Sequence, residues 1–303
     1  MHAQRAIINE VEKALKRNGY EMMQFERSCF DICAKNKTRT ILLKVLANID
    51  SFSVQQAEDL AKMANAIDAS ACIIGIHGRN FLLKDNFVYE RFNIPVLSPK
   101  TFEKSLEDFM PVVFSKKGKP VVKIKNDKLH NLRQDRNLSY RDLGEKVNAS
   151  KKTMYVIEKT GIASEDIADR IEKFFDEALT DVFDLFSWNI PAERSESLEG
   201  AEKQFVLSTE NIGLESFILK NAPVNTITIT KNKTILGDWD DNLSKQRAQT
   251  MKNLAEFCST YNVVLTERDE NKDTFEEIPI VSLVDLETIK TGRQFIKLIV
   301  RRS

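Results

Sequence analysis

The sequence predicts an α/β plus all-α protein: a central five-helix domain over residues 127–187, flanked by two related α/β domains over 1–110 and 196–303, with a β-hairpin connector at 111–126. Three observations point there. Between Asp127 and Gly161, three short amphipathic segments are separated by helix-cap and turn signals. Ala71 to Ile76 is continuously apolar, as expected of a strand buried on both faces. Lys35-Asn36-Lys37-Thr38 recurs as Lys231-Asn232-Lys233-Thr234, and the elements around each copy follow in the same order.

At 303 residues the chain holds two or three domains, and with 42% apolar and 30% charged residues it can bury real cores. No apolar run approaches the roughly 20 residues needed to cross a bilayer. The start, Met1-His2-Ala3-Gln4-Arg5, leads straight into an amphipathic helix and lacks a signal-peptide core, so a cytoplasmic location is expected. Cys29, Cys33, Cys72 and Cys258 form no Cys-x-x-Cys pair, and His2, His77 and His130 do not group with them. The expectation is buried thiols in a reducing compartment and no zinc site. No Gly-x-Gly-x-x-Gly or Walker-type loop is present, so no nucleotide cofactor is expected.

The first domain opens with a helix over 3–18, with Ile7, Ile8, Val11, Ala14 and Leu15 on one side and Asn18-Gly19 at its end. Strands follow at Tyr20 to Phe25, Cys29 to Ala34 and Thr40 to Leu46, then a helix from Val54 to Ala66. After the buried strand at Ala71 to Ile76, Ile94-Pro95-Val96-Leu97-Ser98 is a short strand, and Ser98 or Pro99 opens a helix through Leu106. Pro111 to Phe114 and Pro120 to Lys125, around a turn at Gly118, give the hairpin.

In the centre, Leu129 and Leu132 mark one face of a helix, Leu143 and Val147 the next, and Met154 and Ile157 the third. Ser139 and Ser150 are N-cap candidates, and Asn148 suits the left-handed backbone that ends a helix. Gly144 falls where two helices should pass closely. Helices at Ser164 to Phe175 and Ala178 to Phe186 complete the expected five, and Phe183, Phe186 and Trp188 are read as core or subunit contacts. Residues 116–160 carry thirteen Lys and Arg against five Asp and Glu, whereas 161–220 carry five against fourteen. A basic patch on one module of a chain with zero net charge is the footprint of phosphate binding.

In the last domain, Val224 to Thr230 answers Cys29 to Ala34, and a helix over Leu243 to Cys258 answers Val54 to Ala66. Val263-Val264-Leu265 answers Ala71 to Ile76, and Ile278-Pro279-Ile280-Val281-Ser282 answers Ile94 to Ser98. Ile227 is placed at or near the Asp31 position, and Asp238, Asp240 and Asp241 offer three acids in a loop, read as a solvated turn with a metal site as the alternative.

Three resemblances follow from these residues. Leu138-Ser139, Leu143-Gly144, Asn148-Ala149-Ser150, Met154, Glu158 and Gly161 resemble the helix-turn-helix of the lambda repressor and Cro family. Gly144 departs from that family's alanine, Asn148 from its turn glycine, and one extra residue precedes Gly161. The order helix, three strands, helix, strand in 1–110 resembles the restriction-endonuclease-like fold, whose family carries an Asp on one strand and Glu-x-Lys on the next. Asp31 and Lys44 match, but Leu42 fills the glutamate slot, implying a degenerate nuclease motif without activity. The whole chain resembles a family of archaeal transcriptional regulators with a central helix-turn-helix between α/β regions.

That resemblance implies a non-enzymatic, sequence-specific regulator of transcription that binds double-stranded DNA. A recognition helix over 150–159 would enter the major groove, with Ser150, Lys151, Lys152, Thr153, Tyr155 and Lys159 facing DNA and Ser139 and Tyr140 on a phosphate. A homodimer is expected, a small-molecule effector in the α/β domains is conceivable, and no membrane is involved. The alternative is a metal-dependent, structure-specific nuclease or resolvase guided by the helix-turn-helix.

Overall fold

The computed structural model describes residues 2–116, 118–192, 198–231, 233–240, 243–268 and 272–303. In chain order the first region forms α1 (His2–Arg17), β1 (Glu21–Gln24), β2 (Ile32–Lys35), β3 (Thr40–Asn48), α2 (Val54–Ala66), β4 (Ala69–His77), β5 (Phe87–Arg91), β6 (Ile94–Leu97) and α3 (Pro99–Leu106). The middle forms β7 (Val113–Lys116), β8 (Lys119–Ile124), α4 (Asn126–Asp135), α5 (Tyr140–Lys146), α6 (Lys151–Thr160), β9 (Ile162–Ser164), α7 (Glu165–Phe175) and β10 (Thr180–Asp181). The last region forms α8 (Gly200–Asn211), β11 (Glu215–Ile218), β12 (Thr226–Ile229), β13 (Thr234–Trp239), α9 (Lys245–Cys258), β14 (Tyr261–Thr266), β15 (Thr274–Phe275), β16 (Ile278–Ser282), α10 (Leu283–Thr288) and α11 (Gly292–Arg302).

The chain divides into two compact units, one of Met1–Tyr20, Val45–Ser51 and Cys72–Asn189, the other of Glu21–Lys44, Phe52–Ala71 and Ile190–Ser303. In the first unit the strands order as β4-β6-β5-β7-β8-β10, with β9 also on β8. Ile7, Val11, Ala14 and Leu15 bury one face of α1, and Gly19, at φ +72, takes the left-handed conformation that ends it. Ser98 caps α3 by accepting from Thr101 N at 3.2 Å, with Pro99 in the first turn.

The centre is not a separate five-helix domain. β5 pairs in parallel with β7, Phe87 opposite Val113, so the hairpin β7–β8 continues the α/β sheet. Val122 and Ile124 of that hairpin share one buried cluster with Leu129, Leu143, Met154, Ile157 and Ile171. Four helices stand here, α4 to α7. The expected fifth, Ala178 to Phe186, is replaced by β10, whose Thr180 pairs with Ile124. The cause is local. α7 ends on Asp176 at φ +56, and Glu172 Oε1 accepts from Leu179 N at 2.7 Å and Thr180 N at 2.6 Å, holding the segment extended. Phe183 and Trp188 then pack against Phe114, with ring centroids 5.6 and 5.8 Å away.

In the second unit, β2 pairs antiparallel with β1 and with the Thr40–Lys44 part of β3, while α2 opens on a capping box between Ser53 and Gln56. The six-stranded sheet orders β11-β12-β13-β14-β16-β15, and its β11-β12-β13 part has the same order and antiparallel senses as β1-β2-β3. Register fixes the correspondence. Asp31 N donates to Leu43 O at 2.8 Å, and Asn225 N donates to Gly237 O at 3.0 Å. Asn225 therefore answers Asp31, and Asp238 answers Lys44. Ile227 instead pairs with Leu236 and answers Cys33, which corrects the alignment drawn from apolar pattern alone.

Candidate nucleic-acid interface

Two serine caps build the helix-turn-helix. Ser139 Oγ accepts from Asp142 N at 3.2 Å, and Asp142 Oδ2 accepts from Ser139 N at 2.9 Å, starting α5. Ser150 Oγ accepts from Thr153 N at 3.0 Å, starting α6. Between them Asn148 sits at φ +49, and Ala149 N donates to Gly144 O at 2.8 Å. A Cβ on Gly144 would lie 2.5 Å from the Ala149 carbonyl oxygen, so no larger residue fits without shifting the turn.

A buried carboxylate locks α6 to the helices before it. Glu158 Oε2 accepts from Arg133 Nε at 2.7 Å, and Oε1 accepts from Arg133 Nη2 at 2.8 Å and from the Tyr140 hydroxyl at 3.1 Å. His130 Nδ1 lies 2.6 Å from the same Oε1. Burial pushes this carboxyl up, but the bonds from Arg133, His130 and Tyr140 outweigh it and hold its pKa at about 2. The Arg133 guanidinium also stacks over the Tyr140 ring at 4.2 Å and donates to Leu138 O at 2.8 Å. Sequence reasoning missed this network. Its one signal was Arg133 standing four residues after Leu129, a charge on the apolar side of α4.

The expected contact residues lie on and beside α6. Lys151, Lys152 and Lys159 are exposed, and Tyr155 is 47% exposed. Thr153 is half-buried, its hydroxyl 2.8 Å from Ser150 Oγ. Tyr155 meets Tyr140 edge-on at 5.6 Å, and the Lys159 ammonium stands 5.9 Å from the Tyr155 ring centre. Ser139 and Ser150 spend their oxygens on caps, and the Tyr140 hydroxyl is turned to Glu158. Among the described residues no ion pair engages Lys151 or Lys152, so both charges face solvent in the first turn of α6.

The second unit brings Asp31 and Lys44 together, with Lys44 Nζ 3.1 Å from Asp31 Oδ1 and donating to Ser28 O at 2.7 Å. Both side chains are buried, and Leu42, two residues before Lys44 on the same strand face, is fully buried. A divalent metal of the nuclease type needs a second carboxylate here. Leu42 supplies none, the Asp31 oxygen is taken by an ammonium, and among the described residues no group of three His, Cys, Asp or Glu is placed to hold a metal. The donor set does not fit that metal.

At the corresponding place in the repeat, Asp238 is completely buried and bonded to Arg247 Nε, with Nη2 at 3.4 Å. Burial pushes its carboxyl above the usual value, and Arg247 pulls it only part of the way back. Asp238 is thus no turn residue, and Asp241 lies outside the described residues. A cavity of about 450 Å³ beside these pairs is lined by Gln24, Arg27, Ser28, Pro223, Arg247 and Thr250 among others.

Comparison with known proteins agrees with the α/β framework. Residues 4–111 match the family model of the PD-(D/E)XK superfamily domain, the class of α/β nuclease-like domains that the Asp31 and Lys44 geometry suggests. The overall class is therefore nuclease-like α/β, and the five-helix repressor-type domain expected from sequence falls away. Over 304 residues the chain is 30% identical to a protein of Pyrococcus horikoshii named "Putative HTH-type transcriptional regulatory protein", covering 97% of this chain and 96% of that one. Proteins with the same description from Methanocaldococcus jannaschii and Methanothermobacter thermautotrophicus are 29% and 28% identical, covering 89% and 98% of this chain and 88% and 96% of theirs. The chain belongs to the family of these archaeal proteins, whose members carry the description "Putative HTH-type transcriptional regulatory protein". No solved structure matches it. Among the described residues no helix is long and apolar enough to cross a membrane.

Proposed function

We propose that this chain regulates transcription by binding double-stranded DNA through α6, and that its nuclease-like region does not cut DNA. The observation that carries the reading is the first turn of α6: Lys151 and Lys152 are exposed and unpaired among the described residues on a helix held rigidly by the Arg133–Glu158 network. Lys side chains at the start of a recognition helix donate to guanine acceptors or phosphates, and the exposed Tyr155 ring and Thr153 methyl offer apolar contact. One such module reads few bases, so the protein acts as a homodimer on two half-sites about 34 Å apart.

The test is selection of genomic duplex fragments by the full chain at near-physiological salt, without divalent metal, beside the Lys151→Ala/Lys152→Ala double variant. The expected result is a two-fold symmetric motif, lost in the variant, with affinity falling steeply as salt rises. Lys152→Ala alone should cost about 1–3 kcal/mol on that motif. Unselective recovery, equal for both proteins, would sink the assignment of α6.

The superfamily match over residues 4–111 favours one second reading, metal-dependent DNA cleavage. Leu42 in the acid slot and the closed Asp31–Lys44 pair argue against it. Supercoiled and branched DNA incubated with Mg²⁺ or Mn²⁺ should stay intact, whereas cutting that disappears in Asp31→Ala would establish an enzyme.

A further inference from the structure

Cys33 and Cys258 lie 225 positions apart in sequence, yet their sulfurs are 3.9 Å apart in the second unit. Cys33 stands in the middle of the buried strand β2, and Cys258 is the last residue of α9 and only half-buried. Lys35, two residues along the same strand face, donates to Phe257 O at 3.1 Å and lies 3.5 Å from Ser259 Oγ. Its ammonium therefore holds the residues on both sides of Cys258, through the Phe257 carbonyl and the Ser259 hydroxyl, and keeps the two sulfurs in register.

Within this geometry the two thiols differ. The contact with Cys33 and the nearby Lys35 charge lower the pKa of Cys258 against the opposing effect of burial. The same contact and its own burial raise that of Cys33. The remaining cysteines are of another kind: burial pushes Cys29 up to about 12 and Cys72 higher still. A thiol that ionises easily, is partly open to solvent and touches a second thiol combines an attacking and a resolving cysteine.

We propose that Cys33 and Cys258 are a covalent modification site, closing to an intramolecular disulfide in the presence of a low-molecular-weight disulfide. The Cys258 thiolate attacks one sulfur of R–S–S–R; the S–S bond breaks and RS⁻ leaves, taking a proton from solvent. Cys33 then loses its proton to solvent, and its sulfur attacks Cys258 Sγ, expelling the second RS⁻. Two protein thiols are oxidised and one external disulfide is reduced to two thiols. The new bond ties β2, the strand that follows Asp31, to the last residue of α9. The inference stands independently of DNA binding.

The experiment treats the full chain with oxidised glutathione, titrates free thiols after denaturation, and maps cross-links by mass spectrometry of a non-reduced digest. Of the four thiols, two should disappear, with Cys33 and Cys258 recovered in one linked peptide pair that dithiothreitol separates. Because the bond closes a very long loop, the thermal midpoint should rise by several degrees on oxidation. Cys33→Ser should stop at a glutathione adduct on Cys258 without that rise, which keeps the proposal testable if Cys258→Ser folds poorly. Four thiols remaining after treatment, a stable glutathione adduct on wild-type Cys258, or a cross-link to Cys29 or Cys72 would each overturn it.

Discussion

Glu158 and Asp238 are both buried carboxylates facing an arginine, and their acidities move in opposite directions. Burial raises both. Glu158 receives two of the Arg133 nitrogens, the Tyr140 hydroxyl and the His130 ring, and together these hold it at about 2. Asp238, more deeply buried, receives two Arg247 nitrogens and the Trp239 amide at 3.1 Å, and stays above its usual value. The difference shows that an ion pair does not by itself repay the desolvation of a carboxylate. The depth of burial and the set of donors together decide the balance. It also separates two uses of the same motif. The Glu158 centre fixes the orientation of α6, whereas Asp238 stands at the position of Lys44 in the repeat and fills it with a structural pair.

The contrast can be broken most strongly at Arg133. Arg133→Ala leaves Glu158 buried with two weaker partners and should cost about 3–5 kcal/mol in urea unfolding. It should also abolish selective DNA recovery by freeing α6. The Glu158 contribution carries a pH signature. Its carboxyl is held below the usual 4.5, so the stabilisation is fully present above that value and is lost as pH falls towards 2. Glu158→Gln should remove about 3 kcal/mol of pH-dependent stability over that window, read as a flattened acid limb in the pH profile of unfolding.

Arg247→Ala should cost less, about 2–3 kcal/mol, because Asp238 can take up a proton instead of staying charged. Here the sign reverses. The folded-state pKa of Asp238 lies above its unfolded value of 3.8, so its ionisation opposes folding. The Arg247→Ala deficit should be greatest near neutral pH and shrink as pH falls towards 3.8. An unfolding series that showed equal deficits at all pH values would undo the comparison. The smallest change, Tyr140→Phe, removes a single donor; it should cost about 1 kcal/mol and shift the Glu158 titration upwards, as followed by NMR.

Much of the framework was legible in the sequence because it rests on local chemistry. The helix at Val54–Ala66 has its Ser53 and Gln56 capping box, and the one at Pro99–Leu106 its Ser98 and Pro99. The helix-turn-helix was legible for the same reason: Ser139, Asn148 and Ser150 each act on their own backbone. Asp31 and Lys44 could be paired because a tight turn at Lys35-Asn36-Lys37 joins their strands. What failed needed distant partners. Leu179, Val182, Phe183 and Phe186 carry helical spacing, but Glu172 claims the amides of Leu179 and Thr180 and the segment pairs with β8. β5 lacks a continuous apolar run and escaped notice, although it is the strand that joins the helical centre to the sheet. The Arg133–Glu158 bond spans 25 residues and the Cys33–Cys258 contact 225, and nothing in either local segment announces its partner.

The division of the chain has a consequence for how the protein comes into being. The second unit draws on Glu21–Lys44 and Phe52–Ala71, made early, and on Ile190–Ser303, made last. During translation the strands β1 and β2 and the helix α2 emerge long before the segment that completes their unit. At a typical rate of roughly 5–20 residues per second, they wait about ten seconds or more for it. Over that interval β12, which α2 packs against in the finished protein, has yet to be made, and the surface of α2 that meets it stays open to solvent. Assembly of this unit is therefore a late event on the ribosome, and a chain cut short after the helix-turn-helix would leave the ribosome with that surface still waiting for a partner.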